Sequence, residues 1–347
     1  MSTLTDHGLA QRKQRWTALM DMTKPPSLVY VIDYNPDPAP VPQWWPDRKQ
    51  ARIDYALREY ERLMGQMEWL RDDTVPFLGP TTGTEIFAEA FGCPVVRPED
   101  NMPFSRPLIH SPAEVDKVRV PDLGVAPLAL MFEIADELRR RTGPEALMRL
   151  VDVQTPMDIA ALIWDKNTFY EGVLDAPEAV RALADKVKSL FYAFFDAWFA
   201  RYGTEFMAHY PNYYMTHGMT VSEDEVGAVS TGMFREFFLP ELIELSQHYG
   251  RLGMHCCANA RHQWAGFKQI PNLCLLNFVH TEATIRAAWA YFAGHVAQMH
   301  SWSGDGPAWT WPTQYPAGAR IVIQAKADTR DEALDLADRL WVACGRD

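Results

Sequence analysis

At 347 residues the chain is long enough for two average domains or one large α/β barrel, and its formal net charge of −12 argues against non-specific binding to nucleic acid or an anionic membrane. No apolar run approaches the length of a membrane span, and Met1 to Trp16 is polar and lacks the apolar core of a signal peptide. Five cysteines, odd in number and irregular in spacing, fit reduced thiols better than a disulfide framework, so a cytoplasmic enzyme or binding protein for a small molecule is expected.

Strand and helix patterns alternate along most of the chain. Ser27 to Asp33 reads as the first strand and ends in an acid. The loop from Asn35 to Pro46 carries five prolines and two tryptophans; prolines keep it from pairing, which makes it a surface loop and a candidate lid. Helical patterning covers Ala51 to Trp69, and a short strand follows at Thr74 to Leu78. After the turn residues Gly79 to Gly83, a helix runs through Phe91 and another spans roughly Pro127 to Arg141. Leu147 to Val153 reads as a buried strand, Pro177 to Tyr202 as a long aromatic-rich helix and Phe206 to Tyr210 as a short strand. A helix is expected at Thr231 to His248, then a strand ending at His255. Strands at Leu273 to Val279 and His295 to His300 flank a helix at Glu282 to Phe292. Arg320 to Ala325 and Thr329 to Val342 close the chain as strand and helix.

Such alternation implies parallel strands joined by helical crossovers. No Gly-x-Gly-x-x-Gly follows the first strand and no Gly-Lys-Ser/Thr loop occurs, which counts against a dinucleotide-binding sheet or a nucleotide hydrolase. The expected fold is α/β, a single TIM-type (β/α)8 barrel over residues 26–347 behind an N-terminal extension of residues 1–25. Functional groups then belong where strands end.

The richest of those ends is Gly253-Met254-His255-Cys256-Cys257. Residues two apart on a strand share a face, so His255 and Cys257 look out together while Cys256 turns away. Imidazole and thiolate form half of a zinc site. The competing reading is a buried thiol beside a hydrogen-bonded histidine. Cys274 and His280 share the next strand, but a spacing of six puts them roughly 20 Å apart. His280 is therefore at the rim, a candidate ligand or acid–base group, and Cys274 is packing. His300 competes with His280. Asp224 and Glu225, in the acidic loop Ser222 to Glu225, are candidate acid–base or metal-orienting carboxylates, against the plainer reading of a solvated loop before a Ser230-capped helix. Asp33 and Asp152 are further strand-end acids, the latter read as structural. Trp44, Trp45, Tyr210, Tyr213 and Tyr214 could line a pocket for an organic ligand.

The run Phe234-Arg235-Glu236-Phe237-Phe238-Leu239-Pro240, continuing to Gly250-Arg251-Leu252-Gly253-Met254-His255-Cys256-Cys257, resembles the uroporphyrinogen decarboxylase superfamily. So do Pro76-Phe77 with Ala88 to Cys93, Ser111-Pro112 before Pro121-Asp122, Thr155-Pro156 before its helix, and Asp224-Glu225 ahead of Ser230. The resemblance covers about residues 28 to 345 and implies a TIM-type barrel with one cleft at the carboxyl ends of its strands.

Two chemistries are implied. The decarboxylases of the superfamily need no metal and hold a carboxylated tetrapyrrole with an arginine-rich motif near the first strand. Here Gln11-Arg12-Lys13-Gln14-Arg15 is basic but precedes the barrel and has another form. The corrinoid-dependent methyltransferases bind zinc through His-x-Cys and a distant second cysteine. His255 and Cys257 match the first half, whereas Trp311-Pro312 to Ile323 contains no cysteine. The resemblance thus implies foremost a zinc-assisted methyltransferase. It would move a methyl group between a corrinoid, as substrate or on a partner corrinoid protein, and a thiol or related acceptor. His255 and Cys257 would hold the metal, with Asp224, Glu225 and His280 in catalytic roles. Decarboxylation of uroporphyrinogen or another carboxylated substrate is the alternative, and a non-catalytic corrinoid- or ligand-binding barrel is a third reading.

Overall fold

The computed structural model describes residues 3–346. Its largest sheet is all-parallel. The strands are β1 (Leu28–Asp33), β7 (Met219–Ser222), β8 (Leu252–Cys256), β9 (Leu273–Phe278), β10 (Ala297–Gln298) and β11 (Ile321–Lys326), in the spatial order β1-β11-β10-β9-β8-β7. β2 (Val95–Val96) and β3 (Phe104–Ser105) form a separate antiparallel pair. β4 (Met148–Arg149), β5 (Glu205–Met207) and β6 (Tyr214–Thr216) make a third sheet. Single bridges lead from one edge of the large sheet towards the other: Ser222 to Gln154, then Met148 to Leu78, while the Asp73 N–H donates to the Tyr30 carbonyl at 2.9 Å. The chain therefore curls between its outer strands, with helical segments joining the successive strands β7 to β11.

Composition explains the burial. The residues of β7, β8 and β9 are buried throughout, as expected for parallel strands covered on both faces. Gly253 is required in β8, because a Cβ there would collide with the Tyr213 hydroxyl. The helix Pro177–Tyr202 begins with proline in its first turn and ends at Gly203, whose φ of 89° suits glycine. It buries Phe191, Phe194, Phe195 and Trp198 against Phe87 and Phe132. The helix expected over Thr231 to His248 is interrupted by a π-turn at Phe234–Phe238 immediately before the helix Leu239–Tyr249; Pro240, lacking an N–H, accounts for the break.

Some expectations need correction. Thr74 to Leu78 is extended but pairs only through Leu78, and the strands expected over Leu147 to Val153 and His295 to His300 are regular only at Met148–Arg149 and Ala297–Gln298. The antiparallel β5–β6 hairpin was not foreseen. Ser222 closes β7 instead of opening a loop. The first 25 residues include the helix Thr3–Met20, whose Trp16, 2% exposed, belongs to the main core. Arg12 is buried and pairs with Asp72 at 2.7 Å, while Arg15 pairs with Asp73. The basic run is thus consumed in fastening this helix to the sheet. No helix among the described residues is long and apolar enough to cross a membrane.

Candidate metal centre and cleft

Cross-strand register builds the site. In the parallel pair β7–β8, Ser222 lies opposite His255, and the same offset places Asp224 opposite Cys257. The Cys257 N–H donates to Asp224 Oδ1 at 2.6 Å, holding the carboxylate beside the thiol. Ligand atoms of Asp224, His255 and Cys257 all lie within 4.8 Å of one another. His255 is buried and Cys257 exposed, so the group opens outward from the end of β8.

The next strand aims the imidazole. Asn277, opposite His255 in β9, donates through Nδ2 to the Met299 carbonyl. Its Oδ1 therefore faces His255 Nδ1 at 2.5 Å as an acceptor, which puts the proton on Nδ1 and leaves the Nε2 lone pair free. Beneath lies His209, buried between Thr220 Oγ1 at 2.8 Å and Ser222 Oγ at 3.0 Å. Burial, then the neighbouring His255 and Arg149, hold it well below the ordinary histidine range, so it is neutral support.

Asp224 is held from behind. Both oxygens of buried Asp158 accept backbone N–H groups, from Asp224 at 2.8 Å and Glu225 at 3.1 Å. Glu223 points inward and accepts from Thr155 Oγ1 at 2.7 Å. Burial raises Asp158 to about 7, and burial together with the neighbouring Asp158 lifts Glu223 well above the usual carboxylate range. Burial, then Asp224, pushes the Cys257 thiol up to about 11. A cation among these groups would oppose that shift.

Two predicted site residues stand outside the triad. Glu225 is buried and engaged by Lys166 Nζ at 2.6 Å and by the Tyr170 hydroxyl. His280 Nε2 meets the Ala258 carbonyl at 3.2 Å. His300 does not supply a ligand either: its Nδ1 accepts the Phe278 N–H at 2.9 Å, Nε2 meets Gln298 Oε1 at 3.0 Å, and burial lowers it to about 3. Cys274 is buried against the Leu252 carbonyl. Asp158, Asn277 and His209 escaped the sequence reading, and Glu223 entered it only as part of the acidic loop. Their roles depend on cross-strand pairing, which single-strand spacing does not display.

A cleft of about 560 Å³ opens beside the triad. Tyr34, Tyr55, Phe77, Tyr210, Met299 and Arg149 are among its walls. The lining stops short of the triad, and Tyr210 connects the two: its ring meets His255 edge-on with centroids 4.8 Å apart. Trp44, Trp45, Tyr213 and Tyr214, read as possible pocket aromatics, do not line it.

The uroporphyrinogen decarboxylase (URO-D) family model matches residues 82–296, more than half the chain and inclusive of the whole triad. The chain belongs to the uroporphyrinogen decarboxylase family. A methyltransferase from Methanosarcina mazei has a similar fold, with a TM-score of 0.66 and 13% identity over 96% of this chain and 97% of that one. No curated protein sequence matches significantly. Family and neighbour imply a TIM barrel, consistent with the curled parallel sheet.

Proposed function

We propose that this URO-D family member is a single closed (β/α)8 barrel and a metal-assisted methyltransferase. It would move a methyl group between a corrinoid, free or carried by a partner protein, and a thiol or related acceptor. The observation that carries the reading is the convergence of Asp224, His255 and Cys257 within 4.8 Å at a strand end. A nitrogen, a sulfur and a carboxylate oxygen form a zinc-type donor set, and three protein ligands leave one position for a substrate. The free His255 Nε2 and the outward-facing Cys257 fit that group, and Asp224 offers a third donor beside them. Zinc bound there would supply Lewis acidity, making an acceptor thiol a thiolate at neutral pH.

The chain's own residues do the rest. Asn277 fixes the imidazole tautomer, and Asp158 fixes the backbone that presents Asp224. Glu225, tied to Lys166 and Tyr170, and His280, against the Ala258 carbonyl, would steady the segments that carry their neighbours Asp224 and Cys257. The cleft would hold the organic part of the acceptor over Tyr210.

Metal analysis of the purified protein tests this reading. About one equivalent of zinc, lost in Cys257→Ser and weakened in Asp224→Asn, is expected. A metal-free protein that transfers methyl groups equally well in Cys257→Ser sinks it. Family membership itself favours a second reading, decarboxylation of uroporphyrinogen or another carboxylated compound, with Asp224 and His255 moving the proton. Carbon dioxide release by metal-depleted protein would select that chemistry. Corrinoid binding with neither reaction would leave a binding barrel.

A further inference from the structure

The cleft contains one guanidinium with too few partners. Arg149 ends β4 and lines the cavity. Its Nε is buried with no hydrogen-bond partner, and its Nη1 makes only a long contact, 3.4 Å, to Asn212 Oδ1. No carboxylate forms an ion pair with it among the described residues. Asp152 lies near enough to influence its charge yet makes no hydrogen bond to it. The other arginine of the cleft is differently placed: Arg62 is bound to Glu59, Gln66 and the Tyr34 carbonyl. Leaving a half-buried arginine, its Nε shut away from water, without an anion is unfavourable, and its planar fork matches a carboxylate.

We propose that Arg149 is the specificity determinant for an acidic substrate: it takes the carboxylate of a small organic acid whose apolar body lies along Tyr55, Phe77 and Tyr210. Asp33, which ends β1, also lines the cleft and disfavours an anion at that end. Asn212, beside Arg149, and Tyr210, against His255, belong to one short loop, so an acid anchored on Arg149 has its other end directed towards the triad. The basic run of the N-terminal helix cannot serve this purpose, because Arg12 and Arg15 already hold Asp72 and Asp73. The inference names the substrate class for the proposed methyl transfer and rests on that reading for the reaction, though not for the binding.

The test is equilibrium binding of benzoate and of neutral benzamide to the full-length protein, followed by calorimetry, with zinc content and methyl transfer measured separately. Benzoate should bind at least about tenfold more tightly than benzamide to the native protein, the scale of one charge-assisted pair. Arg149→Met should abolish the preference while leaving benzamide binding and metal content unchanged, and Arg149→Lys should retain part of it. Absent binding, equal binding of the two probes, or a preference that survives Arg149→Met overturns the proposal. A protein without zinc or methyl transfer that still prefers benzoate through Arg149 would sink the proposed reaction and leave this inference standing.

Discussion

Replacing Asn277 tests whether cross-strand support governs the proposed metal centre. Asn277 is 2% exposed, meets His255 Nδ1 at 2.5 Å and donates to the Met299 carbonyl. In Asn277→Ala the imidazole loses its acceptor, so the tautomer with Nε2 free is no longer imposed and the ring can turn. Loss of such a partner typically weakens metal binding about 10- to 100-fold, or about 1.4–2.7 kcal/mol. The same change leaves a buried carbonyl and a buried ring nitrogen short of partners, so fold stability falls by about 1–3 kcal/mol. The two effects separate by assay: zinc affinity from competition with a chromogenic chelator, and stability from urea unfolding of the metal-free protein. Asn277→Asp keeps an acceptor on Nδ1 and should retain most of the affinity, although it too loses the Met299 contact. If Asn277→Ala binds zinc as tightly as the native protein, His255 is not a ligand oriented by Asn277 and the centre has been wrongly built.

Three further outcomes follow from burial and pairing. Asp72→Ala strands the buried Arg12 guanidinium and should cost about 3–5 kcal/mol in urea unfolding; a cost below about 1 kcal/mol would mean that the N-terminal helix is not fastened by this pair. Trp198→Ala, in the aromatic cluster with Phe132, Phe194 and Tyr202, should cost about 3–5 kcal/mol by the same measurement. Burial raises Glu241 to about 8, above its value in the unfolded chain. The folded state therefore binds the extra proton, and Glu241 contributes stability at low pH that is lost as pH rises through about 8. Glu241→Gln keeps an acceptor for the Met157 N–H and should lose less stability between about pH 5 and pH 8 than the native protein does; an unchanged pH dependence of the melting temperature would refute this.

What could be read from sequence divides along a physical line. Periodicity and end signals are local, so the helices Pro177–Tyr202 and Glu282–Phe292 were legible to the residue. The helix Thr3–Met20 was not, because its docking depends on a few side chains, Arg12, Arg15 and Trp16, and not on a continuous apolar stripe. The His255-x-Cys257 pair was visible because two residues on one strand share a face. The residue that joins it was visible as an acid but not as a neighbour. Asp224 reaches Cys257 because β7 and β8 run in parallel at an offset of 33 residues, and Asn277 reaches His255 because β8 and β9 pair at an offset of 22. Each offset reflects the length of the intervening helix and loops as well as the strands, so spacing along the chain does not encode it. The same reasoning covers the candidate third donor: the strand before His255 brings Asp224 to the end of β8, where its carboxylate lies within 4.8 Å of the ligand atoms of His255 and Cys257.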